Sequence, residues 1–244
     1  MTPLLRFDSV SRSHWRGPRE LQVIKDVSLD VHEGEMVGVY GQRGAGKTTL
    51  LRLAAALELP DRGTVSFDGQ DLARCSRREL ARIRRREIGW VERAGPQSDD
   101  LTMLVYVALP LYRAHGPLEA QRRALRALAR VGAEDTAELR WPDLSDTGRM
   151  LVAIAQALVR EPRLLLVDDP TAGLGILDRE RVVGLLRGAA EDGGLAVLMA
   201  VPDMPAMLHA HEVRMLSRGR LLAPEDRREG RGTVIAFPRS ERSA

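Results

Sequence analysis

The sequence is poor in cysteine, in lysine and in long apolar runs. Cys75 is the only cysteine among 244 residues, which excludes an internal disulfide and a disulfide-framed secreted scaffold. The longest apolar runs, such as Leu195 to Val201, are much shorter than the roughly 20 residues that a membrane-spanning helix needs. No secretory leader is evident, so we expect a cytosolic chain that meets membranes only through a partner.

Lysine occurs only at Lys25 and Lys47, so 35 of the 37 basic residues are arginine. The net charge is only +3 because acids are interleaved with these arginines along much of the chain. This pattern argues against a dedicated polyanion-binding surface, and we expect no nucleic-acid partner. The clearest exception is the basic run Arg82 to Arg86. This run could contact lipid phosphates or nucleic acid, but the favoured interpretation is a charged helix face exposed to solvent.

One of the two lysines follows a glycine-rich segment. Residues 36–51 have the sequence MVGVYGQRGAGKTTLL, which contains the pattern G-x-x-x-x-G-K-[ST] between an apolar strand and a helix. Its glycines let backbone amides approach phosphates, Lys47 can reach the outer phosphates, and the Thr48 hydroxyl can ligate Mg²⁺. The pattern predicts a nucleoside triphosphate site, and the alternative is a glycine-rich turn without a ligand. The predicted binding residues are Gly41, Gln42, Arg43, Gly44, Ala45, Gly46, Lys47, Thr48 and Thr49.

The order of apolar and polar segments predicts an α/β fold with one globular unit. Strands are predicted at Leu4–Val10, Val23–Val31, Met36–Tyr40, Gly63–Phe67, Leu164–Val167 and Leu195–Val201, with a turn at Gly17–Pro18. Helices are predicted from Lys47 to Ala56, at Arg77–Arg86 and over most of Trp90–Val159, with loops at Ala94–Asp100 and Gly116–Pro117. The expected fold is that of a P-loop NTPase, with a mostly parallel central sheet, an N-terminal antiparallel β subdomain and a helical subdomain inserted at about residues 90–160. Polar residues dominate from Pro224, so we expect a nucleotide-binding domain over residues 1–225 and a flexible basic tail over 226–244.

Two further segments extend the pattern beyond the phosphate loop. Residues 163–174, RLLLVDDPTAGL, are similar to the Walker B segment of ABC transporter ATPases, and the chain resembles that family over most of residues 4–220. Residues 101–111, LTMLVYVALPL, resemble the subgroup that serves lipoprotein-releasing, macrolide-export and cell-division systems. The resemblance implies a head-to-tail dimer, with each ATP between the phosphate loop of one subunit and the signature motif of the other. It also implies membrane-spanning permease subunits as partners, at the inner face of the cell membrane.

The resemblance assigns Asp168 to Mg²⁺, and the alternative is an aspartate that only ends a strand. The next position in the family is usually a glutamate that acts as general base, and here it is Asp169. Its carboxylate is retracted by one methylene, about 1.5 Å. Because a misplacement of about 1 Å can cost on the order of 10²-fold in rate, Asp169 predicts slow hydrolysis rather than none.

Two other positions that contact the terminal phosphate in the family also differ. Pro202 takes the place of the switch histidine and has neither a side-chain donor nor an amide hydrogen. His209 and His211 are too far along the chain to replace it, and we interpret both as surface or packing residues. The Q-loop glutamine corresponds to Arg93, which offers only donors. The alternative is a shifted loop in which Gln97 fills that role.

The signature motif is altered as well. It occurs as Leu-Ser-Asp-Thr-Gly at residues 144–148, so Ser145 remains but both glycines are replaced and Asp146 brings a negative charge. Ser145 is the candidate contact to a partner's nucleotide. The favoured alternative is a self-contained helix N-cap.

The resemblance also concerns two positions outside the phosphate site, one at the contact between subunits and one at the adenine. The D-loop aspartate corresponds to Gly175, which removes a contact between the two subunits. At the adenine end, His14 or Trp15 could stack on the base, although Trp15 could equally be an exposed residue without that role.

We therefore expect an ATP-binding subunit that binds Mg²⁺ and ATP, with weak hydrolysis and a second ATP-binding subunit as partner, either identical or with intact motifs. A scaffold or sensor gated by ATP but without turnover is the alternative. A soluble P-loop enzyme or DNA-associated ATPase would need a substrate domain or coiled-coil arms that the sequence does not contain.

Overall fold

The computed structural model describes residues 2–92, 95–202, 204 and 209–222. Its strands are β1 (Leu5–Arg16), β2 (Arg19–Val31), β3 (Met36–Tyr40), β4 (Arg62–Phe67), β5 (Gln70–Asp71), β6 (Ile88–Val91), β7 (Leu164–Asp168), β8 (Ala196–Val201), β9 (Glu212–Ser217) and β10 (Arg220–Leu222). Its α-helices are α1 (Lys47–Ala54), α2 (Arg77–Arg86), α3 (Met103–Ala108), α4 (Pro117–Arg130), α5 (Asp146–Leu158) and α6 (Ile176–Gly193). These elements form one antiparallel and one mostly parallel sheet, which confirms the predicted fold class.

The N-terminal sheet is antiparallel and has the order β2-β1-β4-β5. A hairpin joins β1 to β2 through a turn at Gly17 and Pro18, as predicted. Val27, Leu29 and Val31 alternate with more exposed residues on β2, so one face of this sheet packs into the core. The predicted first strand ended at Val10, which was too short. The strand continues because its later residues pair with β2 through the backbone, which needs no apolar face.

The second sheet has the order β10-β9-β3-β8-β7-β6, and only the pairing of β10 with β9 is antiparallel. Every residue of β8 is buried, and so is every residue of β7 before Asp168. These continuous apolar runs are typical of parallel strands covered on both faces, as predicted. The segments that follow Tyr40, Asp168 and Val201 therefore meet at one edge of the sheet.

Helices α3, α4 and α5 all lie between β6 and β7, and their buried faces share one apolar cluster. Two details of the predicted helical region were wrong. Trp90 lies on strand β6, because a short apolar run of four residues does not distinguish a strand from a helix. Pro117 is the first residue of α4 rather than part of a loop, since proline is well tolerated where the amide hydrogen would have no helical partner. The boundaries of the subdomain remain a prediction.

No element is predicted from the sequence for residues 175–193 or 212–222, where the structure has α6, β9 and β10. On β9 only Leu216 is buried, so the strand lacks the apolar pattern that would have revealed it. The predicted basic tail lies outside the described residues. Within the described part of the chain, no helix is both long and apolar enough to cross a membrane.

Candidate nucleotide-binding site

The glycine-rich loop connects β3 to α1 at the carboxyl edge of the parallel sheet. Strand β3 ends at Tyr40 and α1 begins at Lys47, so the loop occupies residues 41–46. The Gly41 amide donates to the Val201 carbonyl at 3.2 Å, which anchors the start of the loop to the neighbouring strand β8. Backbone amides at the start of α1 face the same opening and provide a partial positive charge there.

Two glycines of the loop, Gly46 and Gly41, are required by space, and Gly46 is also required by its backbone conformation. Gly46 precedes α1 with φ of 109°, and a Cβ atom there would lie 2.5 Å from the Val23 carbonyl oxygen. A Cβ atom on Gly41 would lie 2.2 Å from the Leu216 carbonyl oxygen. Gly44 also has a positive φ, 81°, but open space surrounds the position of its missing Cβ atom. The loop is therefore packed closely against β2 and β9 at two points and is open at its tip.

Lys47 places its ammonium group inside the loop. Its Nζ atom donates to the Gly41 carbonyl at 2.5 Å and to the Gln42 carbonyl at 3.1 Å. Burial lowers the pKa of Lys47, and the negative charges of Asp168 and Asp169 oppose that shift. Because only carbonyl oxygens accept these hydrogen bonds, the ammonium retains its full charge for an anion entering the loop.

Thr48 and Asp168 meet across the cleft. The Thr48 Oγ1 atom donates to Asp168 Oδ2 at 2.8 Å, which brings a residue of α1 to the end of β7. A hydroxyl and a carboxylate oxygen are hard ligands of the kind that Mg²⁺ prefers. The two residues predicted as metal ligands are thus adjacent, and their chemistry fits this cation.

Asp169 follows in an uncommon backbone conformation. Its φ is 49°, in the left-handed region that a residue with a side chain seldom adopts, and its amide donates to the Ala200 carbonyl at 2.8 Å. This hydrogen bond fixes the turn that follows β7 to the neighbouring β8. The backbone of Asp169 is thus held at the cleft, which this residue helps to line.

A cleft of about 490 Å³ unites these residues. Its lining comprises Val23, Arg43, Gly44, Gly46, Lys47, Thr48, Thr49, Asp168, Asp169 and Pro202. Of the predicted loop residues, Gly41, Gln42 and Ala45 are not part of this lining. Val23, whose carbonyl packs against Gly46, is a lining residue that was not predicted. Nothing in the sequence of β2 marks it, because the contact depends on how the two sheets come together.

His14 and Trp15 lie on β1 and are not among the residues that line the cleft. His14 Nε2 is 2.8 Å from the Glu58 carboxylate, and 73% of Trp15 is exposed. Their stacking on adenine therefore stays a prediction. Since Glu58 already orients the His14 ring, Trp15 is the more accessible of the two.

Ser145 caps a helix, as the favoured alternative predicted. Its Oγ atom accepts a hydrogen bond from the Gly148 amide at 3.1 Å, and α5 begins at the next residue. Asp146 is exposed and lies 3.7 Å from Arg149. Polar groups in the first turn of α5 thus find their partners within the helix and its cap. Ser145 is not part of the cleft lining, so its contact with a partner's nucleotide remains a prediction.

The remaining predicted positions differ in how far the structure describes them. Pro202 lines the cleft directly after β8, where the family's switch residue is expected. His211 accepts a hydrogen bond from the Met36 amide through Nδ1 at 2.9 Å, and its Nε2 lies 3.3 Å from Glu191, so it packs against the fold as predicted. Arg93 lies outside the described residues, and Gln97 is exposed.

Gly175 caps α6 without any side-chain hydrogen bond. The two residues that follow it, Ile176 and Leu177, are 78% and 80% exposed. Two exposed apolar side chains thus follow Gly175, the position that the resemblance assigns to the D-loop aspartate.

Comparison with known proteins identifies the family. A family model described as "ABC transporter" matches residues 24–172, a span that includes the phosphate loop, Asp168 and Asp169. The chain belongs to the ABC transporter family. It is an ABC transporter ATP-binding domain, as the resemblance predicted.

Three relatives from ABC transporters are similar to this chain over most of its length. The lipoprotein-releasing system ATP-binding protein LolD of Chromohalobacter salexigens is 36% identical over 219 residues, which cover 89% of this chain and 92% of LolD. The methionine import ATP-binding protein MetN of Myxococcus xanthus is 38% identical over 90% of this chain and 67% of MetN. The macrolide export ATP-binding/permease protein MacB 1/2 of Paracoccus denitrificans is 34% identical over 93% of this chain, which spans only 34% of MacB.

Solved ABC cassettes have the same fold. The dimeric ATP-binding cassette MJ0796, bound to ADP and Pi in a post-hydrolysis state, matches with a TM-score of 0.81 and 30% identity. The match covers 89% of this chain and 96% of MJ0796. CbiO1 of Clostridium perfringens, part of the ABC transporter complex cbiONQ, matches with a TM-score of 0.82 and 25% identity, over 91% of this chain and 88% of CbiO1.

Proposed function

We propose that this ABC subunit binds Mg²⁺ and ATP in the phosphate-loop cleft and couples nucleotide-dependent dimer closure to membrane subunits, with weak hydrolysis. The observation that carries the proposal is the assembly of Lys47, Thr48 and Asp168 at the mouth of the loop. The ammonium provides positive charge for the outer phosphates, and the hydroxyl and carboxylate provide hard oxygen ligands. When bound, the metal ion would neutralise phosphate charge; Thr48 and Asp168 would hold it.

We attribute weak hydrolysis to two residues that line the cleft, Asp169 and Pro202. Asp169 has a carboxylate, but the side chain is shorter by about 1.5 Å than the glutamate of the family, and its backbone is held by Ala200. Pro202 has no donor for the terminal phosphate. Lys47, Thr48 and Asp168 remain available for binding, but the attacking water and the terminal phosphate are positioned less well, which predicts turnover reduced by about 10²-fold or more.

A second ATP-binding subunit is the proposed first partner. The related cassette MJ0796 is a dimer, and the family places the signature motif of one subunit on the nucleotide of the other. Here the capped Ser145 and the exposed Asp146 would meet the partner's nucleotide. A partner with intact motifs would compensate for some of these changes, so we favour a heterodimer over a homodimer.

Membrane-spanning permease subunits are the proposed second partners. LolD is the ATP-binding protein of a lipoprotein-releasing system, and MacB joins an ATP-binding and a permease part in one protein. Since the described helices include no membrane span, we propose that this chain reaches the inner face of the cell membrane through such subunits. A scaffold that ATP gates without turnover is the second candidate function, favoured by the combination of Asp169 and Pro202 at one cleft.

Steady-state ATP hydrolysis of the purified chain, alone and with its co-encoded partners, tests the proposal. Asp169→Glu should raise the turnover number by about tenfold or more, because it restores the reach of the carboxylate. Asp169→Asn is the matched control and should abolish what turnover there is. Turnover that is absent in the complex and in Asp169→Glu, with ATP binding retained, would favour the scaffold. Rapid turnover by the unaltered chain would contradict the weak-hydrolysis proposal.

A further inference from the structure

An arginine-lined groove lies where helices α2, α3, α4 and α5 come together. Its volume is about 760 Å³, and five of its nine lining residues are arginine while none is acidic. Arg85 and Arg86 come from the end of α2, Arg113 from the turn after α3, Arg123 from α4, and Arg160 from the segment after α5. Proteins seldom gather so many like charges in one concave surface without a counter-ion, because the charges repel one another.

This groove is separate from the phosphate-loop cleft. Arg86 lies just before β6 and Arg160 just before β7, so the groove is at the amino end of these parallel strands. The phosphate loop follows the carboxyl end of β3 in the same sheet. The two sites therefore lie at opposite edges of the sheet, and they share no lining residue.

The guanidinium of Arg160 is held in place by neutral groups. Its Nε and Nη2 atoms donate to the Pro110 carbonyl at 3.3 and 3.1 Å, and Nη1 donates to the Arg85 carbonyl at 3.4 Å. Burial, together with the charge of Arg85, lowers the pKa of Arg160. These contacts fix the position of the guanidinium without offsetting its charge, so part of the cost of ordering it for a ligand has already been met.

Most of the groove's charge is also unbalanced. Among the residues that the structure describes, Arg123 is the one lining arginine with an acidic partner, Glu119 at 2.9 Å. Within the described part of the chain, Arg85, Arg86 and Arg113 make no ion pair. Four guanidinium groups thus face a groove with a partly apolar floor, formed by Pro110 and Leu111.

We propose that this groove binds a phosphate group, carried either by a phospholipid headgroup or by a free diphosphate. A planar guanidinium offers paired donors that match phosphate oxygens. Several guanidinium groups in one groove suit a ligand with two negative charges better than they suit a single carboxylate, which carries one. A second, smaller groove of about 300 Å³ runs along α2, lined by Arg78, Arg82, Arg85 and Arg86 together with one acidic residue, Glu79. The four α2 arginines are spaced at one helical face, which extends the same positive surface beyond the groove.

The test uses the full chain carrying Lys47→Ala, which removes the competing phosphate loop. Binding of inorganic pyrophosphate is measured by calorimetry. Binding to vesicles is measured by flotation, with phosphatidic acid in one set and cholesteryl hemisuccinate, a carboxylate lipid, at matched surface charge in the other. The groove variant is Arg85→Gln/Arg113→Gln, whose altered side chains make no hydrogen bond among the described residues. The control is Arg62→Gln, an exposed arginine on the antiparallel sheet.

The proposal predicts that the groove variant weakens phosphate binding by about tenfold or more, while Arg62→Gln changes it less than twofold. Binding of pyrophosphate without a preference for phosphatidic acid identifies a free phosphate, and the reverse identifies a lipid headgroup. Equal binding to both vesicle types, without any binding of pyrophosphate, would overturn the proposal in favour of a carboxylate-bearing partner. Loss of binding by the control to the same extent, or no phosphate binding at all, would also overturn it.

Discussion

The Gly46→Ala and Gly44→Ala variants should differ in stability although both alter the phosphate loop. Both glycines have a positive φ, 109° at Gly46 and 81° at Gly44, so alanine brings a backbone strain of about 1 to 2 kcal/mol at either position. At Gly46 the new Cβ atom would also lie 2.5 Å from the Val23 carbonyl oxygen and 3.0 Å from Ile24 Cδ1, whereas at Gly44 it meets no atom within 4 Å.

Relief of that clash requires β2 to move away from the loop, which should cost about 2 kcal/mol beyond the strain. Equilibrium unfolding in guanidinium chloride measures the difference, provided that the denaturant slope is the same for both variants. The predicted free energy of unfolding is lower for Gly46→Ala than for Gly44→Ala by about 2 kcal/mol. Equal free energies would refute the inference that β2 packs tightly against the loop in solution.

Three further predictions concern single side chains. Gly184→Ala should stabilise the chain by about 0.5 to 1 kcal/mol in thermal unfolding, because Gly184 is a helical residue with open space around its missing Cβ atom; destabilisation would contradict it. Ser145→Ala should cost about 1 kcal/mol of stability by removing the α5 cap, and Ser145→Asp, which keeps a capping oxygen, should cost less. Burial raises the pKa of Glu58, but His14 and Arg12 outweigh it and leave the pKa below its usual value. The stability that Glu58 contributes is therefore present above about pH 4 to 5 and lost as the pH falls further, so Glu58→Gln should flatten this part of the stability profile; an unchanged profile would contradict it.

The sequence predicted the phosphate loop and its surroundings well because local patterns determine them. The run before Gly41 and the two apolar runs at β7 and β8 are short and continuous, which identifies buried parallel strands. Once these strands lie side by side, Lys47, Thr48 and Asp168 must meet at their carboxyl ends. The pairing of Thr48 with Asp168 thus followed from topology, although 120 residues separate them.

Other features could not be predicted because they depend on contacts between distant segments. Strand β9 is mostly polar and forms because β3 offers it an open edge. The requirement for glycine at Gly41 depends on Leu216 of that strand. The arginine-lined groove also combines four separate segments, and only the run ending at Arg86 was visible as a charged stretch in the sequence.

Calorimetric titration of the purified chain with ATP and Mg²⁺ tests the central claim most directly, with Lys47→Ala as the variant. Lys25→Ala is the matched control because it removes the only other lysine. We expect the unaltered chain and Lys25→Ala to bind ATP alike, and Lys47→Ala to weaken binding by about tenfold or more. Equal ATP binding by all three proteins, or none by the unaltered chain, would contradict the assignment of this cleft as the nucleotide site.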